Sequence, residues 1–174
     1  MRIEPAAWDD AEVRGLTAAQ QVELRARYDG AGEPGVPPSA ADVGVVLLAR
    51  DADGTAIGCG ALRELEPGVA ELKRMYVVPA ARGRGVSRRL LTALEAAALE
   101  RGWTTLRLET GTRQPEAVGL YESAGYRPIP AFGAYVADDD PFAVFFERGL
   151  PARDDLVGGV RQRGWSTHPL LEDP

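Results

Sequence analysis

Apolar residues along this chain switch between strand-like and helix-like spacing, and the switches divide the chain into elements. Residues 43–49 form a continuous apolar run, which is typical of a strand buried on both faces. Residues 56–65 and 69–78 follow across turns at 51–54 and 67–68, so they predict two further strands joined as hairpins. Beyond Pro79 the apolar residues recur on one helical face as far as Gly102, a residue type that commonly ends helices.

The remaining segments complete an alternating order of strands and helices. We predict strands at 1–8, 103–109 and 142–146, one or two helices at 9–28 capped by Asp9 or Asp10, and a short helix at 115–124. The glycines and prolines of residues 30–39 predict a loop. The order β-α-β-β-β-α-β-α-β predicts an α/β domain over residues 1–150 with a mixed sheet. Residues 151–174 are predicted to be a loosely packed extension.

Composition and charge exclude several classes of function. The chain has 20 basic and 26 acidic residues, a net charge of −6, which argues against binding to nucleic acid. Cys59 is the only cysteine and His168 the only histidine, so we expect no disulfide, no metal site and no histidine base. The N-terminus lacks a signal-peptide pattern, and no apolar run approaches the ~20 residues that span a bilayer. We therefore expect a soluble cytoplasmic protein that does not bind a membrane.

An Arg- and Gly-rich turn at residues 82–87 joins the strand at 69–78 directly to the amphipathic helix. The first amides of a helix lack intrahelical partners and lie at the positive end of its dipole, so such a turn suits an anion, phosphate above all. Arginines surround this turn, namely Arg82, Arg84, Arg88 and Arg89. It lacks the Gly-Lys-Ser/Thr ending of a Walker A loop and the third glycine of a dinucleotide fingerprint.

The turn resembles the Arg/Gln-x-x-Gly-x-Gly/Ala motif of the GNAT acetyltransferase superfamily. Arg82, Gly85 and Ser87 occupy the three defining positions, and Ser87 replaces the usual Gly or Ala with a small hydroxyl that can still contact phosphate. Tyr-Val-x-Pro before the turn and Leu-Tyr-Glu-x-x-Gly-Tyr at 120–126 follow the family's order, so the resemblance covers about residues 43–147. The segments 109–117 and 132–141 resemble a bacterial branch of small GNAT proteins whose acceptors are mostly unassigned.

The resemblance implies a mixed, mostly antiparallel sheet with flanking helices, in which two central parallel strands splay apart and hold acetyl-CoA. Backbone groups of Met75, Tyr76 and Val77 would hold the pantetheine arm. The pyrophosphate would lie on the backbone amides of Arg82, Gly83, Arg84, Gly85, Val86 and Ser87. The alternative for Arg84, Arg88 and Arg89 is a solvated helix face. The asparagine that usually contacts the cofactor has no obvious counterpart, and Arg113 or Gln114 lies in the corresponding segment.

The resemblance also assigns the chemistry. Tyr121 matches the family's general acid, which protonates the departing thiolate, and its alternative role is to pack beneath the sheet. Glu71 is our first choice of general base, with Glu64 and Glu109 as alternatives, and some members of the family have no dedicated base. Strand alternation predicts that Lys73 and Arg74 point to opposite faces, so only one of them would reach the acceptor. Arg74 would suit an acceptor carboxylate.

The leading hypothesis is an N-acetyltransferase for a small-molecule amine such as an amino acid, an antibiotic or another metabolite. Loops at 30–39 and 132–140 are expected to close the acceptor pocket. The alternatives are acetylation of a protein lysine or N-terminus, which the acidic chain would suit, and a non-catalytic acetyl-CoA sensor. An exposed final strand and the segment 150–174 would cover a partner's sheet edge, so we also expect a homodimer.

Overall fold

The computed structural model describes residues 1–30, 32–138 and 140–151, and these residues form strands, α-helices and two short 3-10 turns. The strands are β1 (Arg2–Pro5), β2 (Val43–Arg50), β3 (Ala56–Glu66), β4 (Val69–Val77), β5 (Thr105–Gly111), β6 (Arg127–Ile129) and β7 (Ala143–Gly149). The helices are α1 (Ala11–Arg27), α2 (Val86–Glu100) and α3 (Pro115–Ser123), and the turns are Pro79–Ala81 and Gly133–Ala137. No helix in these ranges is long and apolar enough to cross a membrane.

All seven strands belong to one sheet with the order β1-β2-β3-β4-β5-β7-β6. Every neighbouring pair is antiparallel except β4 and β5, which run parallel. Those two strands pair only over three positions, from Val69 opposite Thr105 to Glu71 opposite Arg107, and then diverge. The predicted mixed, mostly antiparallel sheet with splayed central parallel strands is therefore confirmed.

The predicted final strand, β7, does not form an edge of the sheet that the described residues build, so the prediction that it is exposed is wrong. Strand β6 pairs with the outer side of β7, from Arg127 opposite Glu147 to Ile129 opposite Phe145. Sequence patterns missed β6 because it has only three residues and includes Pro128, which strands accommodate mainly at edges. The homodimer stays a prediction, and most of the predicted extension, including His168, lies outside the described residues.

Helices cover both faces of the sheet, and α1 and α2 each bury apolar residues against it. Helix α2 buries Leu90, Leu91 and Leu94 against the sheet in the larger core. A Cβ at Gly60 would lie 2.6 Å from a methyl carbon of Leu94, so the glycine allows α2 to approach β3 closely. Helix α1 covers the opposite face and buries Val13 in a second core cluster.

Candidate active site

The divergence of β4 and β5 opens a cavity of about 390 Å³ between them. Its walls include the consecutive residues Leu72 and Lys73 on β4 and Glu109 and Thr110 on β5. Successive residues of a strand point to opposite faces of its sheet. Because both members of each pair line the cavity, it lies in the gap between the strands and is reached from both faces.

A second space of about 220 Å³ adjoins the cavity and extends to the turn before α2. The residues common to the two spaces are Gln20, Leu24, Met75, Gln114, Ala117 and Tyr121. Of the residues predicted to bind the cofactor, this groove is lined by Met75, Tyr76, Val77, Arg82, Gly83, Val86 and Ser87. Arg84 is exposed and, like Gly85, is not among the lining residues.

The turn before α2 leaves several backbone amides free of intrahelical acceptors. Gly83 and Gly85 have φ values of 73° and 74°, in the left-handed region that glycine adopts without steric cost. Gly85 is the N-cap of α2, and its carbonyl accepts from the amide of Arg89 at 3.1 Å. The amides of Val86 and Ser87 at the start of the helix therefore lie beside the groove at the positive end of the helix dipole.

Arg82 fixes the turn in place rather than presenting a free charge. Its Nε donates to the carbonyl oxygen of Val77 at 2.9 Å, and its Nη2 lies 2.6 Å from Glu23 Oε2. The guanidinium of Arg82 is the main cause of the lowered pKa of Glu23. Glu23 Oε1 also binds Arg27, which reaches Glu116 on α3. The turn, α1 and α3 are thus joined by one chain of ion pairs.

Tyr121 lies on α3 where the two spaces meet. Its ring is buried and packs against Tyr126 and Phe146, with centroids at 5.7 and 6.4 Å. Its hydroxyl has no hydrogen-bond partner among the described residues. Burial, and to a lesser degree the charge of Glu109, raises the pKa of the Tyr121 phenol above its ordinary value. The phenol is therefore protonated at neutral pH.

Glu109 lines the larger cavity at the end of β5. Burial raises the pKa of its carboxyl to about 7, and the nearby cation of Lys73 only partly opposes this effect. Within the described ranges no donor forms a hydrogen bond with the carboxylate. Glu109 is therefore a carboxyl group that can bind and release a proton near neutral pH.

Glu71 does not line the cavity, although we chose it from the sequence as the base. Its side chain is 0% exposed, Oε2 accepts from Nε of Arg63 at 2.7 Å, and Oε1 accepts from the hydroxyl of Tyr135 at 2.5 Å. The ammonium of Lys73 lies 3.7 Å from Oε1. Both oxygens are thus engaged in a buried network. Glu64, an alternative candidate, is exposed on β3 and lines neither space.

A β-bulge in β4 lies at Lys73 and Arg74, and the prediction that only one of these two residues reaches the cavity is wrong. Cys59 on β3 pairs with Tyr76, whereas Ala61 pairs with Lys73, so β4 contains one extra residue between these pairs. Arg74 adopts the left-handed φ of 59°, which ends the regular alternation. As a result both Lys73 and Arg74 line the cavity.

Both cations bind Glu33, a loop residue that the sequence did not indicate. Lys73 Nζ lies 3.0 Å from Glu33 Oε1, and Arg74 Nη1 lies 2.6 Å from Oε2. Lys73 also donates to the hydroxyl of Tyr135 at 2.8 Å. Glu33 lies among glycines and prolines, where no periodicity shows which way a side chain points. The sequence pointed to Tyr135 only through the Phe-Gly-x-Tyr segment at 132–135, which resembles a bacterial branch of the family.

The two loops predicted to close the pocket meet over this network. The amide of Gly35 donates to Asp138 Oδ2, and a Cβ at Gly35 would lie 2.4 Å from the ring of Tyr135. Asp140, Pro141 and Phe142 also line the cavity. At the position expected for the family's asparagine, Gln114 lines both spaces and the guanidinium of Arg113 lies 4.5 Å from the ring centre of Phe142.

Residues 12–126 match the family model described as the acetyltransferase (GNAT) family. The chain belongs to the GNAT acetyltransferase family. It is 42% identical over 105 residues to the IAA acetyltransferase of Azospirillum brasilense, a match that covers 60% of this chain and 67% of that protein. Matches to curated N-acetyltransferases from fission yeast, Bacillus subtilis and Escherichia coli cover 52%, 62% and 48% of those proteins.

Solved structures agree with this GNAT assignment. A structure from Klebsiella pneumoniae, provisionally named an acyl-CoA N-acyltransferase, is 39% identical, with a TM-score of 0.73 over 86% of this chain and 97% of that chain. A GNAT structure from Elizabethkingia anophelis with acetyl-CoA bound shares the fold at 18% identity, with a TM-score of 0.63 over 86% and 97% of the two chains. The GNAT chain described here is accordingly an acyltransferase enzyme.

Replacement of Glu71 by Gln should lower the free energy of unfolding by about 3 kcal/mol, because it leaves the guanidinium of Arg63 without its buried counterion. Urea denaturation measures the loss. The control is Glu147→Gln, which breaks a half-exposed ion pair with Arg107 and should cost less than about 1 kcal/mol. Equal losses in the two variants would contradict a buried structural role for Glu71.

Proposed function

We propose that this enzyme transfers the acetyl group of acetyl-CoA to the primary amine of a small molecule by direct attack in a ternary complex. The observation that carries the proposal is the position of Tyr121, which lines both the cavity that contains Glu109 and the groove beside residues 82–87, the phosphate turn. A protonated phenol and a carboxyl group that titrates near 7 are suited to general acid and general base catalysis.

The residues of the groove fit acetyl-CoA, which supplies a thioester carbonyl for attack. The left-handed turn at Gly83 and Gly85 and the unpaired amides of Val86 and Ser87 suit a pyrophosphate. The diverging segment of β4 at Met75, Tyr76 and Val77 suits the extended pantetheine arm, which would pair with the backbone of the strand. The acetyl-CoA bound to the Elizabethkingia anophelis structure supports this use of the shared fold.

Protons and bonds balance in the proposed reaction. Glu109 in its ionised form takes a proton from the acceptor's ammonium group and leaves a neutral amine. The amine nitrogen then forms a C–N bond to the carbonyl carbon while the C–S bond breaks. Tyr121 donates its proton to the departing sulfur and recovers a proton from the same nitrogen, and Glu109 returns its own proton to solvent. In this proposal Glu71 holds Arg63, Tyr135 and the cavity wall, and Glu109 takes the role that we first gave to Glu71.

A small acceptor is favoured over a protein substrate. The cavity volume of about 390 Å³ lies within the ~300–1,000 Å³ range of small-molecule sites. Contact between the loops at Gly35 and Asp138 narrows the access that a peptide would need. A sensor without turnover would not need a free carboxyl group beside Tyr121, whereas an enzyme would use one.

The phosphate turn can be tested with Gly85→Ala. A Cβ at φ 74° costs about 1–2 kcal/mol and shifts the first amides of α2, so we expect the Kd for acetyl-CoA to rise about tenfold by calorimetry. Gly54→Ala is the matched control, because Gly54 has a φ of 88°, has no atom within 4 Å of an added Cβ and lies in a hairpin turn. If both variants bind acetyl-CoA as the wild type does, the pyrophosphate site is wrong.

The acid role can be tested with Tyr121→Phe, assayed by release of free thiol from acetyl-CoA over a mixed panel of amines. Loss of a general acid should lower kcat by about 100-fold while the Kd for acetyl-CoA stays the same. Tyr126→Phe removes the hydroxyl of the ring that packs against Tyr121, and it should retain kcat. A Tyr121→Phe enzyme with normal kcat would refute the role, and a wild type that binds acetyl-CoA without turnover of any amine would favour the sensor.

The base role can be tested with Glu109→Gln. Wild-type kcat/KM should rise with pH through a step near 7, as the carboxyl ionises, and the variant should lose both the step and most of its activity. The folded-state pKa lies above the ordinary value of 4.5, so ionisation of Glu109 should reduce the stability of the wild type as the pH rises from about 4.5 to 7. The variant should lack this decrease in urea denaturation. Glu64→Gln is the control, and a step near 7 that persists in Glu109→Gln would exclude Glu109.

A further inference from the structure

We infer that the acceptor amine carries a carboxylate, which binds to Arg74 with the help of Arg25. The inference rests on the proposed function and names the substrate class for the same site. Hydrogen-bond donors of both arginines line the cavity and lack partners among the described residues.

The guanidinium of Arg74 has more donors than its surroundings satisfy. Arginine has five N–H donors in a rigid fork. The side chain of Arg74 is only 11% exposed, and within the described residues its partner is Glu33, which binds Nη1 at 2.6 Å. Among the described residues, the side-chain N and O atoms that are both sealed from solvent and unpaired belong to Gln20, Gln21 and Tyr126. Nε and Nη2 of Arg74 therefore have no partner in this part of the chain but remain accessible, and the cavity that Arg74 lines provides that access.

Arg25 adds a second cation to the same cavity. It lies on α1, lines the cavity and is exposed. In the part of the chain that the structure describes, its side chain forms no ion pair or hydrogen bond. Arg27, two residues further along α1, binds both Glu23 and Glu116. Arg25 is thus a cation at the rim that is free to bind an incoming anion.

The proposed base lines the same cavity as these donors. The last paired position of the parallel strands is Glu71 opposite Arg107. Lys73 and Glu109 each lie two residues further along their strands, where the strands diverge, and the bulge residue Arg74 follows Lys73 directly. A single small molecule can therefore hold its amine at Glu109 and its carboxylate at Arg74. The fork of a guanidinium binds a carboxylate with two parallel hydrogen bonds.

The remaining walls indicate the body of the acceptor. Apolar side chains contribute to the lining from three elements, namely Leu24 and Tyr28 on α1, Pro34 in the first loop and Phe142 before β7. The rings of Tyr28 and Phe142 pack with centroids 5.9 Å apart. An amino acid with an apolar or aromatic side chain combines the amine, the carboxylate and the apolar body that these three regions suit.

The test compares each apolar amino acid with the amine that remains when its carboxylate is removed, for example phenylalanine with 2-phenylethylamine and leucine with 3-methylbutylamine. Thiol release from acetyl-CoA gives kcat/KM for both members of each pair. The wild type should prefer the amino acid by tenfold or more in at least one pair. In Arg74→Asn this ratio should fall to about one, because asparagine tolerates the left-handed backbone but lacks the guanidinium.

A second variant guards against misfolding of the first. Arg25→Gln changes an exposed residue of α1 and should lower the same ratio several-fold, whereas Arg14→Gln, another exposed arginine of that helix, should leave it unchanged. Turnover of the amines alone, equal turnover of both series, or no turnover of either would overturn the inference, as would a preference that survives in both variants. Turnover of the carboxylate-free amines would still support the proposed function, whereas failure to bind acetyl-CoA would overturn both.

Discussion

The parallel pairing of β4 and β5 ends after three positions, and the site depends on this divergence. Backbone groups that lose a strand partner inside a protein need other partners. The carbonyl oxygen of Met75 accepts from Nε2 of Gln20 at 2.8 Å, and the carbonyl oxygen of Val77 accepts from Nε of Arg82. Helix α1 and the turn before α2 are therefore attached to the diverging strand through its backbone. The same separation gives the cavity its two walls.

Two carboxylates near this divergence show how the surroundings give similar side chains different electrostatic properties. Glu71 belongs to the last paired position and is held by Arg63 and Tyr135, so its charge is balanced inside the protein. Glu109 lies beyond the last pair, where the strands no longer exclude a ligand and no donor of the described chain binds it. Burial without a partner raises its pKa, and this places its titration near neutral pH.

Much of this architecture follows from the sequence because it depends on local patterns. The strands other than β6, the amphipathic helix α2, the glycines of the turn before it and the placement of Tyr121 on a short helix were predictable, and the family match confirms the GNAT assignment. The bulge at Arg74 was not predictable, since one extra residue in a strand becomes visible only when its partner's register is known. Glu33 binds Lys73 and Arg74, and Glu71 and Glu109 differ in their partners. These contacts depend on which side chains are buried together, and strand alternation alone does not reveal that.

The contacts of Arg82 make an arginine necessary at a position where the family motif also allows glutamine. The GNAT motif accepts arginine or glutamine at this position. Here Nε and Nη2 of Arg82 reach two different partners, Val77 and Glu23, in two directions. Glutamine has a single amide nitrogen and cannot span both contacts. A glutamine at position 82 would therefore lose one of these contacts, and the turn before α2 would lose its link either to β4 or to Glu23 on α1.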